Sequence, residues 1–379
     1  MNITRVTPLL IDHFLFVEVE TDEGLVGLGE SGAWGFLEAS AECVKSFGRV
    51  LVGQDSSRIE HLWQFMYRCY HFRGAAIMGA ISAIDIALWD IAGKRHGVPV
   101  WRLLGGKCRN KARVYYHVFG KTTEELVKGC VDAKNRGFTA IGHLTPFLDS
   151  DRGEPFFETH AQYMGRAIDR VRQYREAVGD EVDLCIEIHR RLTAHEAIVL
   201  ARGIEKYHPY FFEDPIKPDN FDEMAHVASH IDIPIATGER IHTIQEFEML
   251  LSRRAVSYIR PDVCLCGGIS GTKKAAALAE AHGAGVVPHN PLSPVSTAAC
   301  LQIAACIPNF AIQEYPHGED IPPKSEIVDA AAVCERGFLL IGDRSGIGIA
   351  LKPDARERYP FKPRDMVTRL HEDGSVFDQ

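Results

Sequence analysis

An α/β fold, with a closed parallel barrel behind a smaller N-terminal α+β domain, is predicted by three observations. From about residue 111 onward, short apolar runs alternate with helical stretches eight times. Three of these runs close on a glutamate, Glu187, Glu213 and Glu239, and successive glutamates are 26 residues apart. A repeat of that length fits one strand plus one helix. The first 110 residues lack the repeat and carry a hairpin followed by helices.

Taken in order, Phe14-Leu15-Phe16-Val17-Glu18-Val19, the turn Thr21-Asp22-Glu23-Gly24 and Leu25-Val26-Gly27-Leu28-Gly29-Glu30 read as a hairpin. Helical periodicity is clearest over Ala75–His96, where Ile77, Ala80, Ile81, Ile84, Leu88 and Ile91 mark one face and Gly97-Val98-Pro99 ends the helix. The candidate barrel strands are Arg113–Val118, Thr139–Leu144, Val182–Glu187, Tyr210–Glu213, Ile233–Glu239, Ser257–Asp262, Gly285–His289 and Phe310–Glu314. Alternation of this kind implies a parallel sheet, and eight strands in a row imply a closed barrel. The interval after the second strand is long, with a loop at Leu148–Pro155 and a helix at Glu158–Ala177. The predicted units are a capping domain over 1–110, the barrel over 111–318 and a terminal segment over 319–379. In that segment Gly337–Leu340 and Ile347–Leu351 look strand-like. They cannot extend a closed barrel, so the segment is expected to pack back on the first domain.

Bulk properties narrow the function. The 379 residues suffice for two domains and a large core. A net charge of −9 with no basic block argues against nucleic acid as a partner. No run was long enough to suggest a bilayer span, and Met1-Asn2-Ile3-Thr4-Arg5 has no signal-peptide pattern. A cytoplasmic enzyme is the expectation. The ten cysteines sit in apolar stretches and read as buried free thiols, and Cys264-x-Cys266 lacks the second pair of a zinc site.

The strand ends carry the chemistry. Carboxylates at the C-terminal ends of successive parallel strands converge at the barrel mouth, and three of them call for a hard divalent cation, Mg²⁺. Asp262, His289 and Glu314 end the later strands, and His189 lies two residues beyond Glu187. With a strand period of two, Glu187 and His189 are expected to face the same way. So much polarity at one rim would be costly to bury without a metal. Mg²⁺ there would hold a substrate carboxylate and stabilise an enediolate as it forms. His289 suits the base, with Asp262 fixing its imidazole; His189 suits a general acid. Glu314 could bond the substrate carboxylate if kept protonated by crowding acids. A positioned base contributes about 10²–10⁴-fold, against the roughly 8–23 kcal/mol that enzymes supply in total. The metal must therefore carry a large share.

At these residues the chain resembles the enolase superfamily, in its mandelate racemase/muconate lactonizing branch, and within it the acid-sugar dehydratases. The resemblance rests on Gly29-Glu30-Ser31, Tyr67-Arg68, Arg73-Gly74, Ala87-Leu88-Trp89-Asp90-Ile91-Ala92-Gly93-Lys94, Leu103-Leu104-Gly105-Gly106, Thr237-Gly238-Glu239-Arg240, Pro261-Asp262, Gly267-Gly268-Ile269, Pro288-His289 and His371-Glu372-Asp373-Gly374-Ser375-Val376. It implies a modified (β/α)8 barrel, that is (β/α)7β, with an N-terminal capping domain completed by the C-terminal tail. It implies Glu187, Glu213 and Glu239 as Mg²⁺ ligands, His289 as the base with Asp262 as partner, and His189 as the acid that protonates a departing 3-hydroxyl. Glu314 would lie beside the substrate carboxylate. The reaction implied is loss of water from an aldonate to a 2-keto-3-deoxy acid, in carbohydrate catabolism. Homo-oligomers, often octamers, are implied as well.

Two positions depart from the family pattern. Glu187 stands where most relatives carry Asp, and one more methylene moves the carboxylate by roughly 1.5 Å. His143 stands where many relatives carry a lysine base, so a lysine–histidine racemising pair is absent; His143 contacts substrate or simply packs. Trp34 and Arg73 are further candidates for substrate contact from the capping loops, with Tyr70 and His71 beside Arg73. Of Arg190 and Arg191, at most one can face the mouth. Epimerisation, lactone cycloisomerisation and a non-catalytic sugar-acid-binding role stay open alternatives.

Overall fold

The computed structural model describes residues 1–148, 156–364 and 368–377. Three antiparallel strands, Ile3–Ile11, Phe14–Thr21 and Val26–Ser31, open the chain in up-and-down order. Four helices follow: Leu37–Leu51, Ile59–Cys69, Ala75–His96 and the short Val100–Leu103. The helix Ala75–His96 was expected to present one apolar face. Instead it is buried over most of its circumference, with the run from Met78 to Leu88 wholly inside. The reason is that it is enclosed by the sheet, by the helices Leu37–Leu51 and Ile59–Cys69, and by the barrel helix Gly268–Ala281. It is long and apolar enough by composition to cross a membrane, yet here it forms the inner layer of the capping domain. Its approach to the third strand leaves no room for a side chain: a Cβ on Gly29 would lie 1.9 Å from the Ala83 carbonyl oxygen.

Eight parallel strands form the barrel: Lys111–His117, Ala140–Leu144, Asp183–Glu187, Phe211–Glu213, Ile235–Thr237, Tyr258–Ile259, Gly285–Val286 and Gln313–Tyr315. Each of the first seven pairs with the next in sequence up to the seventh, and the eighth pairs with the first. The circle closes through the Val286–Phe310 bridge. Seven strands are each followed by a long helix, whereas the eighth is followed only by the four-residue Lys324–Ile327. This is the (β/α)7β variant rather than eight full repeats. Every expected strand is present, and several are shorter than expected because the rim residues turn away into loops. The helix expected at Glu158–Ala177 spans His160–Val178 and opens on a Thr159/Gln162 capping box. Of the loop expected at Leu148–Pro155, residues 149–155 lie outside the described residues.

The terminal segment corrects one expectation. Phe338–Leu340 does touch the barrel, pairing antiparallel with Lys111–Arg113. The first barrel strand is the longest of the eight, and its barrel neighbours engage only its later residues, from Val114 to His117. Its first three residues project below the barrel with their hydrogen-bonding edge available. Ile347–Leu351 forms no strand and contributes one isolated bridge, Leu351 with Val328. That stretch does meet the capping domain, with the Ile347 N–H donating to Asp90 at 2.9 Å.

Buried carboxyls join the capping domain to the barrel. Glu30 accepts from the Ser293 hydroxyl at 2.6 Å and the Ser296 N–H at 2.9 Å, at the start of the helix Pro294–Cys306. Asp85 accepts from the Ser270 hydroxyl at 2.6 Å and N–H at 3.0 Å, at the start of Gly268–Ala281. A carboxyl at a helix start satisfies N–H groups that the helix itself leaves unpaired. Burial pushes Glu30 up to about 8 and Asp85 up to about 7.

Candidate active site and metal centre

The three glutamates converge. Glu187 and Glu213 end neighbouring strands in direct register. Glu239 lies two residues past its strand, beyond Gly238, whose φ of 138° is open to glycine. One carboxylate oxygen from each of the three lies within 4.8 Å of the others. All three are largely buried, with side-chain exposures of 6%, 1% and 12%. Neither Glu213 oxygen has a hydrogen-bond donor, although Arg260 Nη2 lies 2.7 Å from Oε1 out of line for one. Burial holds the Glu213 carboxyl well above its usual range, with Arg260 opposing. An all-oxygen cluster with orphaned carboxylate atoms fits a hard divalent cation.

Two histidines flank the cluster. His289 Nδ1 lies 2.8 Å from Asp262 Oδ2, and its Nε2 lies 3.4 Å from Glu239 Oε2. Asp262 is itself held by the Cys264 N–H at 2.7 Å. Burial would lower the His289 pKa, but Glu314, Glu239 and Asp262 outweigh it and raise it to about 9. On the other flank His189 Nε2 contacts Glu187 Oε1. The expected alternation is not what brings it there. The strand ends at Glu187, and His189 and Arg190 take left-handed φ values of 55° and 65°. A turn, rather than strand pleat, returns the imidazole to the glutamate.

His143 reaches the same carboxylate, with Nδ1 2.6 Å from Glu187 Oε2. Glu187 is thus held between two imidazoles. They outweigh its burial and keep its pKa well below the usual range. The longer side chain at this position has a structural counterpart in His143.

Glu314 departs from the expected protonated state. It accepts from Arg260 Nη2 at 2.8 Å and the Asn290 N–H at 2.8 Å, and it faces His117 Nε2 at 2.8 Å. Burial favours the neutral form, but Arg260, His289 and His117 prevail and hold it ionised, well below the usual range. The groups that matter are the Arg260 and His289 charges and the His117 hydrogen bond, not neighbouring acids.

Arg260 is the main residue that sequence reading missed. It is 1% exposed and also donates to the Tyr115 hydroxyl at 2.6 Å. A signal was available: it shares strand parity with Asp262, and a charged residue inside an apolar strand calls for buried partners. His117, at the end of the first strand, was missed as well.

A cavity of about 550 Å³ lies above His289 and Glu239. Trp34 lines it, with Arg190, Arg240, His242 and Arg364. The Arg364 guanidinium lies over the Trp34 ring at 4.7 Å. Arg190 Nη1 is 2.5 Å from Glu239 Oε1, whereas Arg191 lines a separate cavity, so the adjacent arginines face different spaces. Arg73 is not brought to this cavity; it is exposed, with its guanidinium over the Tyr67 ring at 4.9 Å.

Comparison with known proteins accords with this geometry. Residues 4–105 match the mandelate racemase / muconate lactonizing enzyme N-terminal domain, and residues 128–355 match the enolase C-terminal domain-like family. This chain belongs to the enolase superfamily. Within its mandelate racemase/muconate lactonizing branch, the chain is 36% identical over 386 residues to a D-galactonate dehydratase of Ralstonia pickettii, covering 99% of both chains. It is 34% identical to one of Verminephrobacter eiseniae over 390 residues, again with 99% of both covered. Among solved structures it resembles an enolase from Agrobacterium radiobacter, described as a candidate galactarate dehydratase with bound sodium and L-malate. The TM-score is 0.93 at 30% identity, over the full length of both chains. A member of the enolase superfamily from Salmonella Typhimurium aligns with a TM-score of 0.87 at 29% identity, covering 95% of this chain and 98% of the other. This enolase superfamily member is a hydro-lyase, and its three clustered glutamates have the composition and spacing to hold a divalent metal of the kind superfamily members bind.

Proposed function

We propose that this protein dehydrates an acid sugar, a galactonate-like aldonate, to a 2-keto-3-deoxy sugar acid with Mg²⁺ as its cation. The observation that carries the reading is the placement of His289–Asp262 and His189 on opposite flanks of one glutamate cluster. Its relatives' names point to the same substrate class.

Glu187, Glu213 and Glu239 would hold the cation, which supplies Lewis-acid stabilisation to a carboxylate gaining charge. The remaining steps belong to side chains. His289, its Nδ1 engaged by Asp262, would present a neutral Nε2 to take the proton from C2 once a bound cation offsets the Glu239 charge that otherwise raises its pKa. Electrons from that C–H bond form the C2–C3 double bond as the C3–O bond breaks. His189 donates its proton to the departing hydroxyl, which leaves as water. The resulting enol tautomerises to the 2-keto acid. Glu314, held ionised by Arg260, would not bond the substrate carboxylate itself; it fixes the Arg260 guanidinium and accepts from the Asn290 N–H beside His289. Trp34 covers the cavity and limits water entry. The acid sugar is a small soluble metabolite, which suits a cytoplasmic enzyme.

The test is incubation with Mg²⁺ and a panel of aldonates and aldarates in D₂O. Release of a keto acid from a galactonate-like aldonate supports the reading. Deuterium uptake at C2 without keto acid points to epimerisation. Mg²⁺-dependent binding with neither outcome points to a binding protein.

A further inference from the structure

We propose that His143, Glu187 and His189 form a second metal site, selective for a borderline transition-metal dication such as Zn²⁺ or Co²⁺. In it, Glu187 bridges to the cation of the three-glutamate cluster.

The geometry assembles a two-imidazole, one-carboxylate donor set. His143 Nδ1 lies 2.6 Å from Glu187 Oε2, and His189 Nε2 contacts the other oxygen of the same carboxylate. Donor atoms of the three residues lie within 4.8 Å of one another. The imidazole centroids are 5.1 Å apart with planes 70° apart, an edge-on arrangement rather than a stack. Donors around a four-coordinate metal with bonds near 2.0 Å sit roughly 3.3 Å apart. The set needs to open only slightly to admit an ion. Both histidines hold left-handed φ values, 52° and 55°, and both imidazoles contact the one Glu187 carboxylate.

The surroundings keep the rings in place. His143 stacks on His117 at 5.2 Å and packs on Phe119 at 4.6 Å. The His143 and His189 side chains are 28% and 29% exposed, which leaves one side open for water or a further ligand. Imidazole nitrogens favour Zn²⁺, Co²⁺ and similar ions, whereas Mg²⁺ favours the all-oxygen cluster. The two sites thus differ in donor chemistry while sharing Glu187, as bridged two-metal centres do.

A metal on His189 would occupy the nitrogen that otherwise donates a proton, so a transition metal would inhibit dehydration. That consequence rests on the dehydratase reading; the site does not.

The test counts metals on the intact protein held in saturating Mg²⁺. Co²⁺ is titrated by visible absorption and by equilibrium dialysis. The expected result is one Co²⁺ per chain alongside retained Mg²⁺, with d–d bands of a nitrogen-ligated ion. His143→Gln and His189→Gln should each weaken Co²⁺ binding at least about tenfold and shift those bands. Two outcomes overturn the proposal: Co²⁺ affinity unchanged in either folded variant, or Co²⁺ that only exchanges one for one with Mg²⁺. Metal counting needs no turnover. A chain that binds both metals but releases no keto acid would therefore overturn the dehydratase reading alone.

Discussion

Arg260 lies 2.7 Å from Glu213 and is 1% exposed, so a buried cation sits directly behind a carboxylate of the metal cluster. The same nitrogen also reaches Glu314 at 2.8 Å. This one guanidinium offsets charge on the metal side and on the substrate side of the site. Removing one partner of a buried ion pair costs roughly 3–5 kcal/mol, because the other charge is left uncompensated. Arg260→Met should therefore lower the melting temperature strongly. Mg²⁺ should restore part of the loss and raise the melting temperature of the variant more than that of the wild type. Thermal melts with and without Mg²⁺ check this; equal Mg²⁺ shifts would show that Arg260 and the cation do not share Glu213.

His289→Asn removes the imidazole nitrogen but keeps a similar shape and a group that can still contact Asp262. Proton exchange at C2 in D₂O should fall by about 10²–10⁴-fold, the usual worth of a positioned base. Deuterium incorporation followed by NMR measures it. Exchange at the wild-type rate would move the base elsewhere.

Glu187→Asp and Glu187→Ala separate two roles. The Asp variant keeps a carboxylate, and the barrel cluster should still bind Mg²⁺ within about tenfold of wild type. It draws that carboxylate back by roughly 1.5 Å and should release His143. The Ala variant should lose Mg²⁺ affinity by more than tenfold. Isothermal calorimetry distinguishes the two, and unchanged affinity in the Ala variant would remove Glu187 from the ligand set.

Glu30 makes domain docking sensitive to pH. Its folded carboxyl keeps its proton up to about 8, against 4.5 for an unperturbed one. The stability it confers is complete below the unfolded value and is lost as pH rises toward the folded one. Between those limits the slope is about 1.4 kcal/mol of stability lost per pH unit. Glu30→Gln should flatten that part of the melting temperature against pH curve. An unaltered slope would assign the dependence to other groups, Asp85 first.

Gly29→Ala should be costly for a purely steric reason. The new Cβ would lie 1.9 Å from the Ala83 carbonyl oxygen, so helix and strand must separate. Overpacking of this kind costs about 1–3 kcal/mol, readable by urea unfolding.

Much of the architecture was legible because it depends on local periodicity. Eight strand runs and the helix Ala75–His96 follow from patterns within a few residues of each position, and the 26-residue glutamate spacing repeats one strand–helix unit along the chain. The burial of that helix over most of its circumference was not legible, since one of its partners, Gly268–Ala281, lies far away in sequence. The pairing of Phe338–Leu340 with the first barrel strand also depended on how far that strand outruns its neighbours.

At the site, the sequence by itself determined which residue types stand at or just past the strand ends: Glu187, Glu213, Glu239, Asp262, His289 and Glu314. The tertiary structure decided how they are charged and paired. Arg260 holds Glu314 ionised where crowding by acids had suggested a proton, and left-handed turns at His143 and His189 bring both imidazoles onto Glu187. Strand periodicity is a property of the local backbone and can be read along the chain. Charge pairing depends on which strand ends barrel closure brings within a few ångströms, and on left-handed torsions at an irregularity within the second strand and just past the third.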